Sequence, residues 1–523
     1  MNRERILDKV VSRTKPWDLV VIGGGATGLG VALDAASRGY QTLLLEQHDF
    51  AKGTSSRSTK LVHGGIRYLK QGNVGLVMEA LKERGRLCVN APHLVHHLSF
   101  VVPVYTWWEG PFYGVGMRIY DRMAGELGLK PSKALSLEET RKRLPTIEPE
   151  GLRRGVIYYD GQFDDARLAV SLARTIDDVG GCALNYMRVV GLIKEQGVTA
   201  GVRIRDEEGG KELEVRARVV VNATGVYTDE VRKLDDPDMA PLIAASQGTH
   251  IVLPRSFHPG DSAIMIPHTA DGRVLFAVPW HDHVIVGTTD VAMTDIPLEP
   301  RPLQEELDFL LGHSSKYLTG DPTASDVLSV FSGLRPLVKG EGAESTAALS
   351  RDHTILVAQS GLITVTGGKW TTYRKMAEDT VNQAELLAGW EERPCRTATL
   401  AIHGATDVVP AARHLQVYGG DAPALMALAD EQPGGRESLH PALPYWRSEV
   451  IWAVRHEMAR SVEDVLARRT RALFLNAQAA IDMAPMVAEL MAGEMGWDAG
   501  RRKEQIRRFT QVAQGYLIST RTR

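Results

Sequence analysis

The sequence predicts an α/β fold that continues into a domain with an antiparallel sheet and ends in an α-helical domain. Three observations predict it. A short apolar run at 19–22 leads into a glycine-rich turn and an apolar helix, strand-like alternation with spaced turns fills 246–295, and helical periodicity returns from Glu449 onward. The length of 523 residues is enough for more than one domain.

The first element is the segment DLVVIGGGATG at 18–28, in which a charge-free strand runs directly into a helix that continues to Gly39. Its glycines fit the pattern G-x-G-x-x-G, which allows a tight turn and lets a pyrophosphate approach the helix N-terminus closely. They are Gly23, Gly25 and Gly28. A second strand at 42–45 ends at Glu46, where a carboxylate can accept hydrogen bonds from a ribose. This context predicts a Rossmann-type domain for FAD or NAD, because an acidic residue here disfavours the 2′-phosphate of NADP.

The composition excludes several classes of protein. The net charge of −3 gives no reason to expect a nucleic-acid partner, and the three scattered cysteines lack the spacing of metal ligands. The N-terminal stretch has charges of both signs and no apolar signal region, and the charge-free apolar runs are too short to span a bilayer. We therefore expect a cytoplasmic protein, soluble or peripheral, and leave the inner face of the cytoplasmic membrane open as its location.

Three later segments are candidates for contacts to a nucleotide. They are the polar loop at 53–60, VVVNATG at 219–225 and ITVTGGKWTT at 363–372. Each is also compatible with an ordinary turn, solvated in the first case and joining a strand to a helix in the other two. The basic residues around Gly367 and Gly368 favour a functional interpretation of the last segment, since a helix N-terminus beside them can stabilise negative charge.

The glycine-rich turn, the segment SSRSTKLVHGGIRYL at 55–69 and the string GGKWTTYRKMA at 367–377 together resemble FAD-dependent glycerol-3-phosphate dehydrogenase, the membrane-associated flavoenzyme. The resemblance covers residues 17–385 with specific motifs and the helical tail more loosely. One departure is Leu29, where the family usually has a small residue, so that the helix is expected to lie slightly further from the sheet.

The resemblance implies a Rossmann-type FAD-binding domain and oxidation of sn-glycerol 3-phosphate to dihydroxyacetone phosphate. Hydride would pass to flavin N5 and the electrons to a quinone. The expected cofactor-binding residues are Gly23, Gly25, Ala26, Thr27, Gly28, Glu46, Gln47, Thr54, Ser55, Ser56, Ser58, Lys60, His63, Gly64, Gly65, Ala223, Thr224, Gly225, Gly367, Gly368, Lys369, Trp370 and Thr371. No metal is expected.

A phosphorylated substrate needs cations, and arginine matches phosphate oxygens with two parallel hydrogen bonds. By resemblance, the expected substrate-binding residues are Arg67, Tyr68, His250, Arg335, Arg351 and Lys369. Of these, His250, Arg335 and Lys369 are expected to be catalytic. The base that takes the hydroxyl proton stays open between His250, whose ordinary pKa suits the role, and a lysine with a lowered pKa.

For the domain organisation we expect an N-terminal segment at 1–16, a discontinuous FAD-binding domain, a substrate or cap domain, and a C-terminal helical domain at 391–523. The FAD-binding domain is expected to comprise 17–90, 151–240 and 330–390. The substrate or cap domain is expected to comprise 91–150 and 241–329.

Several alternatives stay open. The rival activity is that of an FAD-dependent oxidase or dehydrogenase of an amino acid or hydroxy acid, and oxygen is the rival acceptor to a quinone. His63 and Cys88 are open as points of covalent flavin attachment. The basic helix from Arg501 to Tyr516 either lies on an anionic membrane or packs its apolar stripe on the protein, and the second is favoured. We expect a homodimer and no nucleic-acid partner.

Overall fold

The computed structural model describes residues 1–65, 73–123, 125–267, 269, 273–339 and 353–518. The strands are Trp17–Ile22 (β1), Thr42–Leu45 (β2), Leu61–Val62 (β3), Val95–Val104 (β4), Lys133–Leu135 (β5), Arg154–Phe163 (β6), Cys182–Leu184 (β7), Met187–Glu195 (β8), Val198–Asp206 (β9), Glu212–Asn222 (β10), Ile243–Pro254 (β11), Ala263–Ile266 (β12), Leu275–Trp280 (β13), His283–Gly287 (β14), Val291–Met293 (β15), Ser329–Val338 (β16), His353–Val357 (β17), Ile363–Gly367 (β18), Ser438–His440 (β19) and Leu443–Trp446 (β20).

The α-helices are Arg3–Val11 (α1), Ala26–Ser37 (α2), Val74–Asn90 (α3), Glu109–Met123 (α4), Leu137–Arg143 (α5), Asp165–Asp178 (α6), Thr228–Asp235 (α7), Gln304–Tyr317 (α8), Tyr373–Ala388 (α9), Ala422–Glu431 (α10), Arg447–Glu457 (α11), Ala472–Leu475 (α12), Ala477–Met495 (α13) and Ala499–Ala513 (α14). A π-helical turn, Asp464–Arg469, lies between α11 and α12.

The first sheet has the strand order β17-β18-β10-β1-β2-β7, with β8 and β9 extending the long strand β10 as an antiparallel ribbon. Its central strands run parallel and are buried on both faces, which explains why β1 and β2 are almost purely apolar. Helix α2 returns the chain from β1 to β2 and packs on α9. Gly30 makes this packing close, because a Cβ there would lie 2.9 Å from the ring of Tyr373.

The second sheet has the order β15-β11-β14-β13-β12-β4-β6-β3, with β16 paired to β11 and β5 paired to β6. Its pairings are antiparallel except for β12 with β4. The C-terminal helices pack on this sheet, since Val252, Ile285 and Phe331 share one apolar core with residues of α11 to α14. The α/β fold with an antiparallel second sheet and a helical C-terminal domain is therefore confirmed.

The predicted domain bounds stay a prediction. Three strands that begin in or at the edge of the ranges predicted for the FAD-binding domain, β3, β6 and β16, pair within the second sheet. The stretch 91–150 also contributes the strand β4, which pairs with β6 along its whole length. Apolar strands look alike in sequence, and only long-range pairing decides which sheet each one joins.

The last helix packs its apolar stripe inward, as the favoured interpretation expected. Phe509 and Tyr516 are buried in the core of the C-terminal domain. Arg507 and Arg508 are exposed and pair with Glu504 on the same helix. Over the described part of the chain, no helix is both long and apolar enough to cross a membrane.

The tight turn between β1 and α2 can be tested with Gly28→Ala. Alanine favours a helix over glycine by about 1 kcal/mol, but here its Cβ would lie 1.9 Å from the carbonyl oxygen of Gly23. We expect a net loss of about 1–3 kcal/mol in the free energy of unfolding, measured by denaturant titration. Gly312→Ala, at an exposed position of α8 with no atom within 4 Å of the new Cβ, is the matched control. Equal stabilisation of both variants would contradict the account.

Candidate functional site

A cleft of about 700 Å³ opens where the parallel strands of the first sheet end. Three segments with glycine follow the carboxyl ends of neighbouring strands in this sheet. The turn at 23–28 follows β1, the turn at 223–225 follows β10, and the third glycine segment, at 367–368, follows β18. Because parallel strands end at one edge, these segments meet at that edge and form one wall of the cleft. The second sheet supplies the opposite wall through β11, β13 and β16.

The glycine-rich turn presents backbone rather than side chains to the cleft. Gly23 has φ of 108°, and a Cβ there would lie 2.7 Å from the carbonyl oxygen of Ala223. Gly25 precedes the first turn of α2, and the N–H of Ala26 donates to Oγ of Ser55 at 2.9 Å. The N-terminus of α2 therefore faces a space that admits a close approach by an anionic group.

Glu46 lies at the end of β2 and lines the cleft beside this turn. Its carboxylate accepts hydrogen bonds from the N–H groups of Gly24 at 2.6 Å and His48 at 2.8 Å. Burial raises the pKa of Glu46, and these two donors oppose that effect. The two hydrogen bonds fix the carboxylate where a ribose hydroxyl group is expected.

The third glycine segment is tied to the loop after β2. The indole N–H of Trp370 donates to the carbonyl oxygen of Ser55 at 2.8 Å, and the N–H of His63 donates to Oγ1 of Thr371 at 3.2 Å. These two hydrogen bonds, at Ser55 and at His63, thus fix the loop near both of its ends, and the loop lines the cleft between them.

A buried set of ion pairs, none of whose members lines the cleft, holds this loop. We call it the loop clamp; its members are Asp49, Lys60, Asp165, Arg468, Arg469 and Arg471. Asp49 accepts hydrogen bonds from both Arg468 and Arg469. Asp165 accepts from Lys60 at 2.7 Å and from Arg471 at 2.9 Å, and all these side chains are buried.

Lys60 and Ser56, both predicted to bind the cofactor, do not line the cleft. The Nζ of Lys60 and a guanidinium nitrogen of Arg471 donate to the carbonyl oxygen of Ser56, at 2.8 and 2.9 Å. Lys60 has a positive φ of 64°, and its Nζ donates to the same oxygen of Asp165 as the hydroxyl group of Ser58. Burial lowers its pKa to about 8, against the opposing effect of Asp165.

At the far end of the cleft, His250 and Arg335 lie on the neighbouring strands β11 and β16. Nε2 of His250 lies 2.9 Å from Oγ1 of Thr59, and its ring stacks on Phe331 with 4.8 Å between centroids. The guanidinium of Arg335 donates to Oδ1 of Asp290 at 3.3 Å and to Oγ1 of Thr288 at 3.2 Å. Gly248 makes room for this guanidinium, since a Cβ there would clash with it.

The pKa of His250 is held well below its ordinary value. Burial is the largest cause, and the positive charges of Lys60 and Arg335 act in the same direction. His250 is therefore neutral at neutral pH, with one ring nitrogen unprotonated. A neutral imidazole can accept a proton from a hydroxyl group, while a guanidinium that lines the same cleft can bind an anion.

Most of the predicted cofactor residues meet in the cleft. The predicted residues that line it are Gly23, Gly25, Ala26, Thr27, Glu46, Gln47, Thr54, Ser55, Ser58, His63, Gly65, Ala223, Thr224, Gly225, His250, Arg335, Gly367, Gly368, Lys369, Trp370 and Thr371. Gly28 and Gly64 do not line the cleft. Arg67, Tyr68 and Arg351 lie outside the described residues. Cys88 does not line the cleft, and burial raises the pKa of its thiol to about 11.

Thr288 lines the cleft and was not predicted as a site residue. Arg57 and Thr59 also line the cleft, and the sequence analysis included them only as members of the polar loop at 53–60. Thr288 lies in the GTTD string after β14, where only the β14–β11 pairing brings it near Arg335.

Comparisons with known proteins agree with this geometry. Residues 18–374 match the family described as FAD dependent oxidoreductase, and residues 363–502 match the C-terminal domain of alpha-glycerophosphate oxidase. The mitochondrial glycerol-3-phosphate dehydrogenase of Rattus norvegicus is 41% identical over 98% of this chain and 75% of its own length. The chain belongs to the FAD-dependent glycerol-3-phosphate dehydrogenases.

Solved structures extend the comparison. A glycerol-3-phosphate dehydrogenase from Bacillus halodurans, complexed with FAD, has a TM-score of 0.81 and 29% identity, covering 100% of this chain and 99% of that one. Glycine oxidase from Geobacillus kaustophilus has a TM-score of 0.54 at 17% identity, covering 76% of this chain and 100% of that one. The second similarity shows the fold alone.

FAD is the cofactor of this chain, and the cleft fits it. The turn at Gly23 and Gly25 leaves room for a pyrophosphate because neither residue has a side chain. A Cβ at Gly25 would fill part of this space and lie 3.0 Å from Oγ of Ser55. Glu46 suits the ribose, and the turn at Gly367 suits the ring end of the flavin, because the N-terminus of a 3₁₀ turn and Lys369 lie beside it.

The loop clamp can be tested with Asp165→Asn, which keeps the size of the side chain and removes its charge. Two buried cations lose their counter-ion, so we expect a loss of about 3–5 kcal/mol in the free energy of unfolding. Flavin content after purification should fall as well, because the loop lines the cleft. Asp282→Asn, at an exposed ion pair with Arg413, is the control and should change stability by less than about 0.5 kcal/mol. If Asp165→Asn kept the stability and the flavin content of the wild type, the loop clamp would not be what holds the loop in place.

Proposed function

We propose that this protein oxidises sn-glycerol 3-phosphate to dihydroxyacetone phosphate and passes the electrons to a quinone. The observation that carries the proposal is that a buried, neutral imidazole and a guanidinium, on the neighbouring strands β11 and β16, both line the FAD cleft. Names of relatives that cover nearly the whole chain support the same substrate. The proposal includes a homodimer at the inner face of the cytoplasmic membrane.

Arg335 is the proposed phosphate ligand. Asp290 and Thr288 orient its guanidinium, which can offer parallel N–H groups to two phosphate oxygens. Lys369, at the opposite wall of the cleft, is proposed to add a second positive charge. Two cations from different sheets would fix the phosphate and so orient the C2 hydroxyl group of the substrate.

His250 is the proposed base for the C2 hydroxyl proton. FAD, when bound, supplies the N5 atom that accepts the hydride. The imidazole is neutral and fixed by Thr59 and Phe331, so it can accept the proton without first losing one. A phosphate dianion at Arg335 would offset the cations that hold the pKa of His250 down, which links proton transfer to substrate binding.

The proposed substrate is tested by recording the visible spectrum of the purified protein while glycerol 3-phosphate is added without oxygen. We expect the flavin absorbance to bleach, and a lipid-soluble quinone to restore it. A flavin that stays oxidised with glycerol 3-phosphate but bleaches with an amino acid or hydroxy acid would contradict the proposal. If the protein formed hydrogen peroxide in air at its full rate of turnover, the electron acceptor would be oxygen and not a quinone.

The role of Arg335 is tested with Arg335→Gln on two substrates. Loss of charge-assisted hydrogen bonds should lower kcat/KM for glycerol 3-phosphate about 10- to 100-fold. The slow oxidation of glycerol, which lacks the phosphate, should change less than about threefold because no interaction with the phosphate is lost. Arg413→Gln, at an exposed position, serves as the control. Equal losses with both substrates would show that Arg335 does not bind the phosphate.

A further inference from the structure

A buried carboxylate lies behind the turn that holds Arg335. Glu306 is the third residue of helix α8, and it is exposed by only 1%. Its carboxylate accepts hydrogen bonds from Oγ1 of Thr289 at 2.5 Å, from the side-chain amide of Gln247 at 2.7 Å and from the N–H of Leu303 at 2.9 Å. Neither Glu306 nor Thr289 lines the cleft. Any effect of Glu306 on the cleft is therefore exerted through other residues.

The hydroxyl group of Thr289 is oriented by two different elements. It accepts the backbone N–H of Thr249, a residue of strand β11, at 2.8 Å. A hydroxyl group has one hydrogen, and here this hydrogen is donated to Glu306 on helix α8. The distance of 2.5 Å lies in the short range that is typical of hydroxyl groups donating to carboxylates. Strand β11 and helix α8 thus fix Thr289 together.

The same threonine contacts Arg335 through its backbone. The carbonyl oxygen of Thr289 accepts a hydrogen bond from Nη2 of Arg335 at 3.1 Å. The residues on either side of it, Thr288 and Asp290, accept hydrogen bonds from the same guanidinium through their side chains. Three consecutive residues therefore hold Arg335, and the middle one connects it to Glu306.

The turn at 288–290 lies where the pairing of strand β11 is interrupted. The pairing of β11 with β14 ends at Gly287, and its pairing with β15 begins at Val291. Between these points, two residues of β11 lie opposite the three residues of the turn, as in a β-bulge, so that the ladder of backbone hydrogen bonds is disrupted. Strand β16 occupies the other edge of β11, and the side chain of Arg335 reaches the turn across Gly248. Side-chain contacts therefore have to hold the turn in place.

Capping of helix α8 explains only part of this arrangement. A glutamate at the third position of a helix often accepts the N–H of the capping residue. Glu306 accepts the N–H of Leu303 in this way, and Glu139 accepts the N–H of Ser136 in helix α5. Glu139 is exposed, whereas Glu306 is buried and also accepts the hydroxyl group of Thr289. Glu139 is therefore a matched control for the contribution of capping.

We propose that Glu306 is a positioning residue for the guanidinium that binds the substrate phosphate. Through the hydroxyl group of Thr289 it fixes the turn at 288–290, and the turn fixes the direction of the Arg335 guanidinium. The assignment of phosphate to Arg335 rests on the proposed function, whereas the coupling of Glu306 to Arg335 rests on these contacts alone. Loss of the coupling keeps the charge of Arg335 but misaligns its N–H groups, so that phosphate binding weakens.

The first test compares Glu306→Gln and Thr289→Val with the wild type on two substrates. Each variant should raise KM for glycerol 3-phosphate about 5- to 20-fold and change kcat less than about threefold, because a contact of the bound phosphate is weakened. KM for glycerol, which lacks the phosphate, should change less than about twofold. Glu139→Gln and Thr140→Val, which remove a capping carboxylate and a buried hydroxyl group from helix α5, are the matched controls and should retain wild-type kinetics.

Two further variants separate positioning from stability. Thr289→Ser keeps the hydroxyl group and should recover most of the affinity that Thr289→Val loses. In Glu306→Gln/Arg335→Gln, KM should match that of Arg335→Gln within about twofold, because Glu306 then has no guanidinium to position. Flavin content and Tm, measured for every variant, show whether it is folded.

Binding of inorganic phosphate to the protein with its flavin, measured by titration calorimetry, tests the coupling without turnover. The Kd should rise about 5- to 20-fold in Glu306→Gln, for the same reason as KM. If the Kd rises in this way but the wild type does not oxidise glycerol 3-phosphate, the positioning role is confirmed and the proposed function is wrong.

Three outcomes would overturn the proposal. The first is an unchanged KM and an unchanged Kd in both Glu306→Gln and Thr289→Val. The second is a loss of activity with glycerol that equals the loss with glycerol 3-phosphate, since this would show a merely structural role. The third is a double variant in which the effects of Glu306→Gln and Arg335→Gln multiply. A wild type that binds neither glycerol 3-phosphate nor inorganic phosphate would remove this proposal together with the proposed function.

Discussion

The FAD cleft depends on the buried ion pairs that hold the loop at 49–60 against the C-terminal domain. Burial alone would raise the pKa of Asp49, but the guanidinium groups of Arg469 and Arg468 hold it below the usual range. Asp49 therefore stays charged in the interior, opposite the two guanidinium groups. Removing one partner leaves a buried charge without compensation, which costs far more than an exposed pair is worth. The C-terminal domain is thus part of the nucleotide site, although it contributes little to the cleft lining.

The chemistry of the loop explains why this contact is ionic. Ser55, Ser58 and Thr59 line the cleft, so this part of the loop has few apolar side chains with which to pack. Two charged residues of the loop form buried ion pairs instead, Lys60 with Asp165 and Asp49 with Arg468. Neighbouring residues of the loop thus connect the cleft to the loop clamp, since Thr59 contacts His250 while Lys60 contacts Asp165.

The local elements were predictable, and the long-range pairings were not. The strand at 42–45, the glycine turn and the helix that follows this turn can be predicted from apolar runs and turn residues, which act over a few positions. The direction of Lys60 depends on a positive φ and on Asp165, 105 positions away. The contact between Thr59 and His250 spans 191 positions. Such contacts are decided by packing between distant parts of the chain, so neither the residue pattern nor the resemblance predicted them.

A crystal structure of the protein with FAD and glycerol 3-phosphate, grown without oxygen from a variant too slow to turn over, tests the account most directly. The account predicts phosphate oxygens within hydrogen-bond distance of the Arg335 guanidinium, the C2 hydroxyl group facing the imidazole of His250, and C2 over the flavin ring. A substrate bound with its phosphate away from Arg335, or with His250 turned from the hydroxyl group, would contradict it.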